Sequence, residues 1–175
     1  FSVPGRTELG GNHTDHQYGC VLAAGVSLDV VAAAWPNYTN IIRVYSHGYP
    51  PAVVNLNELL PSEEEYGKPV ALVRGIAAKF LSHGYPVAGF DAYLMSDVKE
   101  GSGLSSSAAF EVTIAKLISG LFCEDAVPAV QLAKISQYAE NSYFGKPSGL
   151  MDQTACAVGG VLYIDFANPQ EPVLR

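Results

Sequence analysis

Three stretches of the chain combine residue types that can do chemistry. The first is Gly101-Ser102-Gly103-Leu104-Ser105-Ser106-Ser107-Ala108. Its glycines let the backbone curl so that successive N–H groups point inward. A helix starting at its end adds free N–H groups and the positive end of the helix dipole. The serine hydroxyls add donors for phosphate oxygens and one candidate Mg²⁺ ligand. An anion, most simply a nucleotide triphosphate, is what this chemistry suits. The segment is not a Walker A loop, because no Gly-Lys-[Ser/Thr] follows. It is not G-x-G-x-x-G either, because Ser106 stands where the third glycine belongs. A Ser/Gly-rich helix cap has the same composition.

The second stretch, Pro4 to His16, holds Arg6, Glu8, Asn12, His13, Asp15 and His16 among glycines. A cation, an amide, two imidazoles and two carboxylates are the groups that hydrogen-bond a polyhydroxylated ligand. His13, Asp15 and His16 do not follow a recognised zinc spacing. A solvated turn is the plain alternative. The third stretch is Glu140 followed by Gly145-Lys146-Pro147-Ser148-Gly149-Leu150-Met151-Asp152-Gln153. A carboxylate there can be a base or an Mg²⁺ ligand, or only an N-terminal helix Asp favoured by the dipole.

These stretches must be held by regular elements. Residues 1–19 read as loop, and Cys20–Trp35 as a buried strand or strand pair. Ile41–Tyr49 and Val87–Val98 alternate as strands do, and Gly160–Phe166 reads as a last strand. The acidic stretch Glu58–Glu65 reads as a solvated face. Apolar spacing of three and four predicts helices over Val70–His83 and Ser105–Phe122, the second with serines as caps. Pro128–Tyr143, with proline in its first turn, and Gly149–Val158 read as two more. Strands followed by mixed helices predict an α+β domain.

Composition narrows the classes. Of 175 residues, 49% are hydrophobic and 15% charged, which supports a packed core and excludes disorder. Ten basic against seventeen acidic residues, a formal charge of −7, argue against nucleic acid as a partner. No apolar run approaches the roughly 18 residues that span a bilayer, and the first residues carry no signal-peptide pattern. The expectation is a soluble cytoplasmic protein. Cys20, Cys123 and Cys156 lie far apart, and reduced core thiols are expected.

Together the three stretches resemble the GHMP small-molecule kinases, and the galactokinase group among them most. Pro4-Gly5-Arg6 with Gly11-Asn12-His13-Thr14-Asp15 is similar to the family's sugar-side signature. Gly103-Leu104-Ser105-Ser106-Ser107-Ala108 matches its phosphate loop, and Gly149-Leu150-Met151-Asp152-Gln153 its catalytic segment. The resemblance implies a GHMP kinase N-terminal domain over residues 1–175, of the ribosomal protein S5 domain 2-like fold, a mixed sheet packed against helices. It implies transfer of phosphate from ATP to the C1 hydroxyl of galactose. Asp152 would take or orient the hydroxyl proton. Arg6 would sit beside it, since a guanidinium favours an ionised carboxylate. Arg6, Asn12, His13, Asp15, Gly149 and Asp152 would hold the sugar. Gly101, Ser102, Gly103, Leu104, Ser105, Ser106 and Ser107 would hold ATP, with Ser107 and Glu140 on Mg²⁺. Another sugar, such as N-acetylgalactosamine, and a non-catalytic galactose sensor are the alternatives.

The chain departs from the family pattern at several positions. Asn12 stands where glutamate is common and His16 where tyrosine is usual. Pro69 and Leu72 replace aromatics that pack on adenine, with Tyr66 as a substitute. The family's third glycine-rich motif and a sugar-contacting tyrosine, which belong to a C-terminal domain, do not occur. An N-terminal portion with little or no turnover by itself is therefore expected.

Overall fold

In the computed structural model, which describes Phe1–Arg175, one long strand organises everything else. The strand β2 (Cys20–Pro36) is preceded by β1 (Ser2–Gly10). After it come β3 (Ile41–Ser46), β4 (Ala52–Asn55), α1 (Pro69–Ser82), β5 (Phe90–Ser96), α2 (Ser106–Phe122), α3 (Ala129–Ala139) and α4 (Met151–Val158). Two short strands, β6 (Val161–Asp165) and β7 (Val173–Leu174), end the chain's regular structure.

The strands form one seven-stranded mixed sheet in which only the β3–β5 pair is parallel. Residues Val30 and Val31 of β2 pair with both β1 and β5, and Leu22 to Ala24 pair with both β1 and β6. Each strand has two edges, so β1 takes one edge of β2 while β5 and β6 share the other in succession. Of the expected strand or strand pair, it is the single strand, 17 residues long, that forms. It is buried on one face only: Val21, Ala23, Val30 and Ala32 point into the core, while Val31, Trp35, Tyr93 and Met95 are exposed on the sheet.

The helices cover the inner face, and the reason lies in their apolar spacing. Leu72, Val73, Ile76 and Phe80 of α1 and Ile114, Leu117 and Ile118 of α2 are fully or almost fully buried. All of these except Leu72 join Val44, Phe90 and Ala92 from the sheet in one cluster. A smaller cluster under α4 gathers Val21, Met151, Leu162, Ile164 and Phe166.

Several expectations need correction. Residues Ser2–Gly10 are a strand, not a loop. Their pairing with β2 is non-local, and two irregularities in register, at Pro4/Arg6 and Glu8/Gly10, absorb the proline and glycines that read as turn chemistry. The helix expected to reach Tyr143 is regular only to Ala139 and then widens into one π turn, Glu140–Phe144. That turn buries Glu140 and Tyr143 together; such turns recur at functional sites. Glu65, read as part of a solvated face, grips Arg74 through two contacts of 2.8 and 2.6 Å. Of the three free thiols only Cys156 is buried; Cys20 is exposed and Cys123 lies between. Burial pushes the Cys156 thiol well above its ordinary value, which makes it inert. No helix is long and apolar enough to cross a membrane.

Candidate active site

The site assembles where β1, the segment before α2 and the start of α4 converge. Gly5 makes this convergence possible. A Cβ on Gly5 would stand 2.8 Å from the Leu104 carbonyl oxygen. Without it, the neighbouring Arg6 N–H donates to that carbonyl at 3.0 Å, stitching β1 to the Gly101–Ser107 loop. The Arg6 side chain then reaches two partners. Its Nη1 donates to the Gly103 carbonyl at 3.0 Å, while Nε and Nη2 both hold Asp152 Oδ1 at 2.8 Å. The guanidinium is nearly buried, so this planar two-pronged contact is fixed in direction as well as charge.

Asp152 enters from the first turn of α4, its carboxylate also accepting from the Ser105 hydroxyl at 2.6 Å. The expected role of the serines as caps is corrected here. Ser105 makes no side-chain cap bond to α2 and takes a left-handed backbone, φ 57°. Ser102 is exposed and does not line the site's cavity, its hydroxyl donating to the Lys99 carbonyl at 2.6 Å. Arg6, Gly101, Gly103, Ser105, Ser106, Ser107 and Asp152 line one open cavity of about 1040 Å³, with Lys146 at its wall. Pro69, Leu72 and Tyr49 line it further out. Tyr66, the expected aromatic substitute, packs instead against Gly145.

Ser107 and Glu140, the two residues expected on Mg²⁺, lie side by side: Ser107 Oγ is 3.4 Å from Glu140 Oε1. A hydroxyl and a carboxylate are the hard oxygen donors that Mg²⁺ takes, with the rest of its shell from phosphate and water. The two residues fit that ion, although no cage of three or more His, Cys, Asp or Glu side chains surrounds them. Lys146 Nζ sits on the same Glu140 oxygen at 3.0 Å. Partial burial pulls the lysine's pKa down, but the contact with Glu140 outweighs this and the net shift is upward.

The sugar-side residues are only partly gathered. Asp15 is buried, and its Oδ2 accepts the Met151 N–H at 3.1 Å, so it braces the turn that carries Asp152. Its Oδ1 has no hydrogen-bond partner within the protein. Asp15 and Gly149 line a second, smaller cavity of about 250 Å³, not the larger one. Asn12 and His13 both take left-handed backbones and line neither cavity. Glu8 holds His13 in place: it accepts the His13 backbone N–H at 3.0 Å and sits 3.2 Å from the ring Nε2.

Sequence reasoning missed a buried hydrogen-bonded group behind Glu140. Gln153 Nε2 donates to Glu140 Oε2 at 2.8 Å and to Glu111 Oε2 at 3.1 Å. Glu111 is fully buried on α2, where a carboxylate among apolar neighbours was the available signal. Desolvation, and then the charge of Glu140, push its carboxyl well above the ordinary 4.5. A neutral Glu111 also has an O–H to offer, and both Glu111 Oε1 and Gln153 Oε1 otherwise lack partners. The sign of the linkage follows. As pH rises from 4.5 toward the raised value, the unfolded chain releases this proton while the folded chain keeps it, so stability falls. Glu111→Gln keeps the shape and the hydrogen bond from Gln153 without the titration. Its melting temperature is expected to exceed the parent's at pH 8 and to converge on it near pH 4.5. A constant gap at both pH values would remove Glu111 as the titrating group.

With this geometry in place, comparison with known proteins becomes informative. A model of the GHMP kinases N terminal domain matches residues 71–160. The chain belongs to the GHMP kinase family. A second model, the galactokinase galactose-binding signature, matches residues 1–36. Among curated GHMP relatives, the galactokinase of Streptomyces coelicolor is 35% identical over 94% of this chain and 43% of its own length. That of Clostridium tetani is 33% identical over 91% of this chain and 40% of its own. The chain thus spans less than half the length of these relatives. Among solved structures, Lactococcus lactis galactokinase complexed with galactose superposes with TM-score 0.88 at 27% identity, over 99% of this chain and 46% of that one. Methanococcus jannaschii mevalonate kinase shares the fold, with TM-score 0.78 at 21% identity over 100% of this chain and 54% of its own. The α+β expectation, a mixed sheet packed against helices, holds as the N-terminal fold of the GHMP kinases.

Proposed function

We propose that the complete polypeptide carrying this chain is a galactokinase, transferring a phosphoryl group from ATP to the C1 hydroxyl of galactose. The observation that carries this is the two-pronged contact of Arg6 with Asp152, 2.8 Å to each nitrogen, in the same cavity as the Gly101–Ser107 loop. A carboxylate held beside curled phosphate-binding backbone is what a hydroxyl nucleophile and a phosphate require of a protein. When bound, ATP supplies the phosphoryl group and Mg²⁺ offsets its charge; Ser107 and Glu140 are the residues that would hold the ion.

In this reading Asp152 accepts or orients the hydroxyl proton, and Arg6 keeps the carboxylate aligned while adding positive charge near the transferring group. The reaction's transition state is loose in most analyses, so positioning and charge carry most of the effect. Asp15, with one buried carboxylate oxygen lacking a protein partner, is suited to receive sugar hydroxyls. Asn12, His13 and Gly149 complete the proposed sugar side. His13 is held by Glu8, and Asn12 stands next to it on the left-handed turn.

We assign residues 1–175 to one GHMP kinase N-terminal domain. A second domain, corresponding to the remaining length of the relatives, is the proposed partner that would complete the cleft. The complete polypeptide, incubated with galactose, Mg²⁺ and ATP, is expected to release galactose 1-phosphate and ADP in equal amounts. Absence of that product sinks the proposal. Faster turnover of a C2-modified galactose would move it to the neighbouring sugar kinase.

A further inference from the structure

The phosphate loop contains three consecutive serines, and one of them faces away from the task its sequence suggests. Ser105 Oγ donates to Asp152 Oδ2 at 2.6 Å, the only side-chain hydrogen bond that Ser105 makes. To do so it takes φ 57° and ψ 54°, a left-handed backbone that serine rarely adopts and glycine takes freely. Its backbone carbonyl meanwhile starts α2 by accepting the Ala109 N–H at 3.0 Å. Glycine would satisfy that backbone more easily, so the hydroxyl is what a serine adds at this position.

The lone pairs of Asp152 make the consequence specific. A carboxylate oxygen accepts about two hydrogen bonds. Oδ1 already takes two, from Arg6 Nε and Nη2. Oδ2 takes one, from Ser105, and keeps one lone pair open. Arg6 and Ser105 thus grip the carboxylate from opposite oxygens and leave a single acceptor direction into the cavity that both residues line.

We propose that Ser105 is a positioning residue for Asp152 rather than a phosphate ligand: it fixes the open Oδ2 lone pair toward the sugar hydroxyl. In the step it serves, the hydroxyl O–H bond breaks, the proton passes to Asp152 Oδ2, and the electron pair stays on the sugar oxygen, which bonds to the γ-phosphorus of ATP as the bond from that phosphorus to the β-phosphate oxygen breaks and ADP leaves. This rests on the kinase reading given above.

The experiment uses the complete polypeptide with Ser105→Ala and Ser105→Gly, assayed with galactose and MgATP. Losing a hydrogen bond to a charged group corresponds to roughly a ten- to hundredfold fall. That fall is expected in kcat, with KM for ATP changed by less than about twofold, because the effect acts on the transition state. Ser105→Gly also relieves the left-handed backbone, so it is expected to melt at or above Ser105→Ala. The two variants together separate the hydroxyl from folding. A second readout needs no substrate: thermal melts of Ser105→Ala, Asp152→Asn and the double variant. Effects smaller together than in sum are expected from a direct contact. A raised KM for ATP with kcat preserved overturns the proposal in favour of phosphate binding, and strictly additive melting effects overturn the contact itself. If the unsubstituted protein phosphorylates no sugar, the kinase reading fails, while the melts still report on the Ser105–Asp152 contact.

Discussion

In the complete polypeptide, replacing Asp152 with asparagine is expected to reduce the proposed sugar phosphorylation by about 10²- to 10⁴-fold, the range ascribed to a positioned acid or base. The substitution suits the question because it alters little else. An asparagine can present its carbonyl oxygen to the Arg6 Nε and Nη2 groups that now hold Oδ1, and its amide to the Ser105 oxygen. Arg6 loses a charged partner, which weakens a contact to an ionised group by roughly 1–2 kcal/mol. Asp152→Ala is the less informative change. It strands a nearly buried guanidinium, and because the Asp152 side chain is 32% exposed the cost falls below the about 3–5 kcal/mol of breaking a fully buried pair. Galactose binding to Asp152→Asn, followed calorimetrically, is expected to persist within about tenfold, one hydrogen bond's worth. Turnover close to the parent's would remove Asp152 from the proton-handling role. Loss of both binding and turnover with an unchanged melting temperature would make it a sugar ligand first.

The chemistry of this site was more legible in the sequence than its construction. The loop at Gly101–Ser107 and the carboxylate at Asp152 each had a plain alternative, a helix cap and an N-terminal helix acid, and they stood out through their order along the chain with the Pro4–His16 stretch. The helices α1 and α2 followed from apolar spacing, since that spacing is what buries one face against a sheet. Elements that depend on distant partners did not show. The strand β1 contains Pro4, Gly5 and Gly10, and only its ladder with β2 makes it a strand. The four-residue β4, just past Pro50 and Pro51, is equally dependent on β3. Within the site, Ser105 reads as a cap until its left-handed backbone is seen. Glu111 draws no reading from the sequence, and only its burial beside Gln153 sets it apart. The Ser105–Asp152 and Glu111–Gln153 contacts join segments more than forty residues apart, which local composition does not encode.

The contact between Asp15 and Gly149 is the most consequential of these, and it supplies the second large effect. A Cβ on Gly149 would stand 1.8 Å from Asp15 Oδ2 and 2.5 Å from its Cγ, so Gly149→Ala cannot be accommodated without moving the carboxylate. Asp15 has little room to move, being buried, with Oδ2 accepting the Met151 N–H at 3.1 Å. Displacing it breaks that bond at the residue before Asp152 and overpacks the turn. The expected cost is about 2–4 kcal/mol, combining overpacking with a stranded polar group. The origin of the cost can be isolated. On an Asp15→Ala background the clashing atoms are gone, so Gly149→Ala is expected to cost no more than about 0.5 kcal/mol by chemical denaturation, a strong departure from additivity. Asp15→Ala alone is expected to weaken galactose binding more than it slows the bound complex, since Asp15 lies apart from the larger cavity and braces rather than reacts. If Gly149→Ala destabilises both backgrounds equally, the Asp15 carboxylate is not what the glycine makes room for. A Gly149→Ala protein as stable as its parent would mean that Asp15 can leave Met151 at no cost, which would dissolve the link between the sugar-side turn and the helix that presents Asp152.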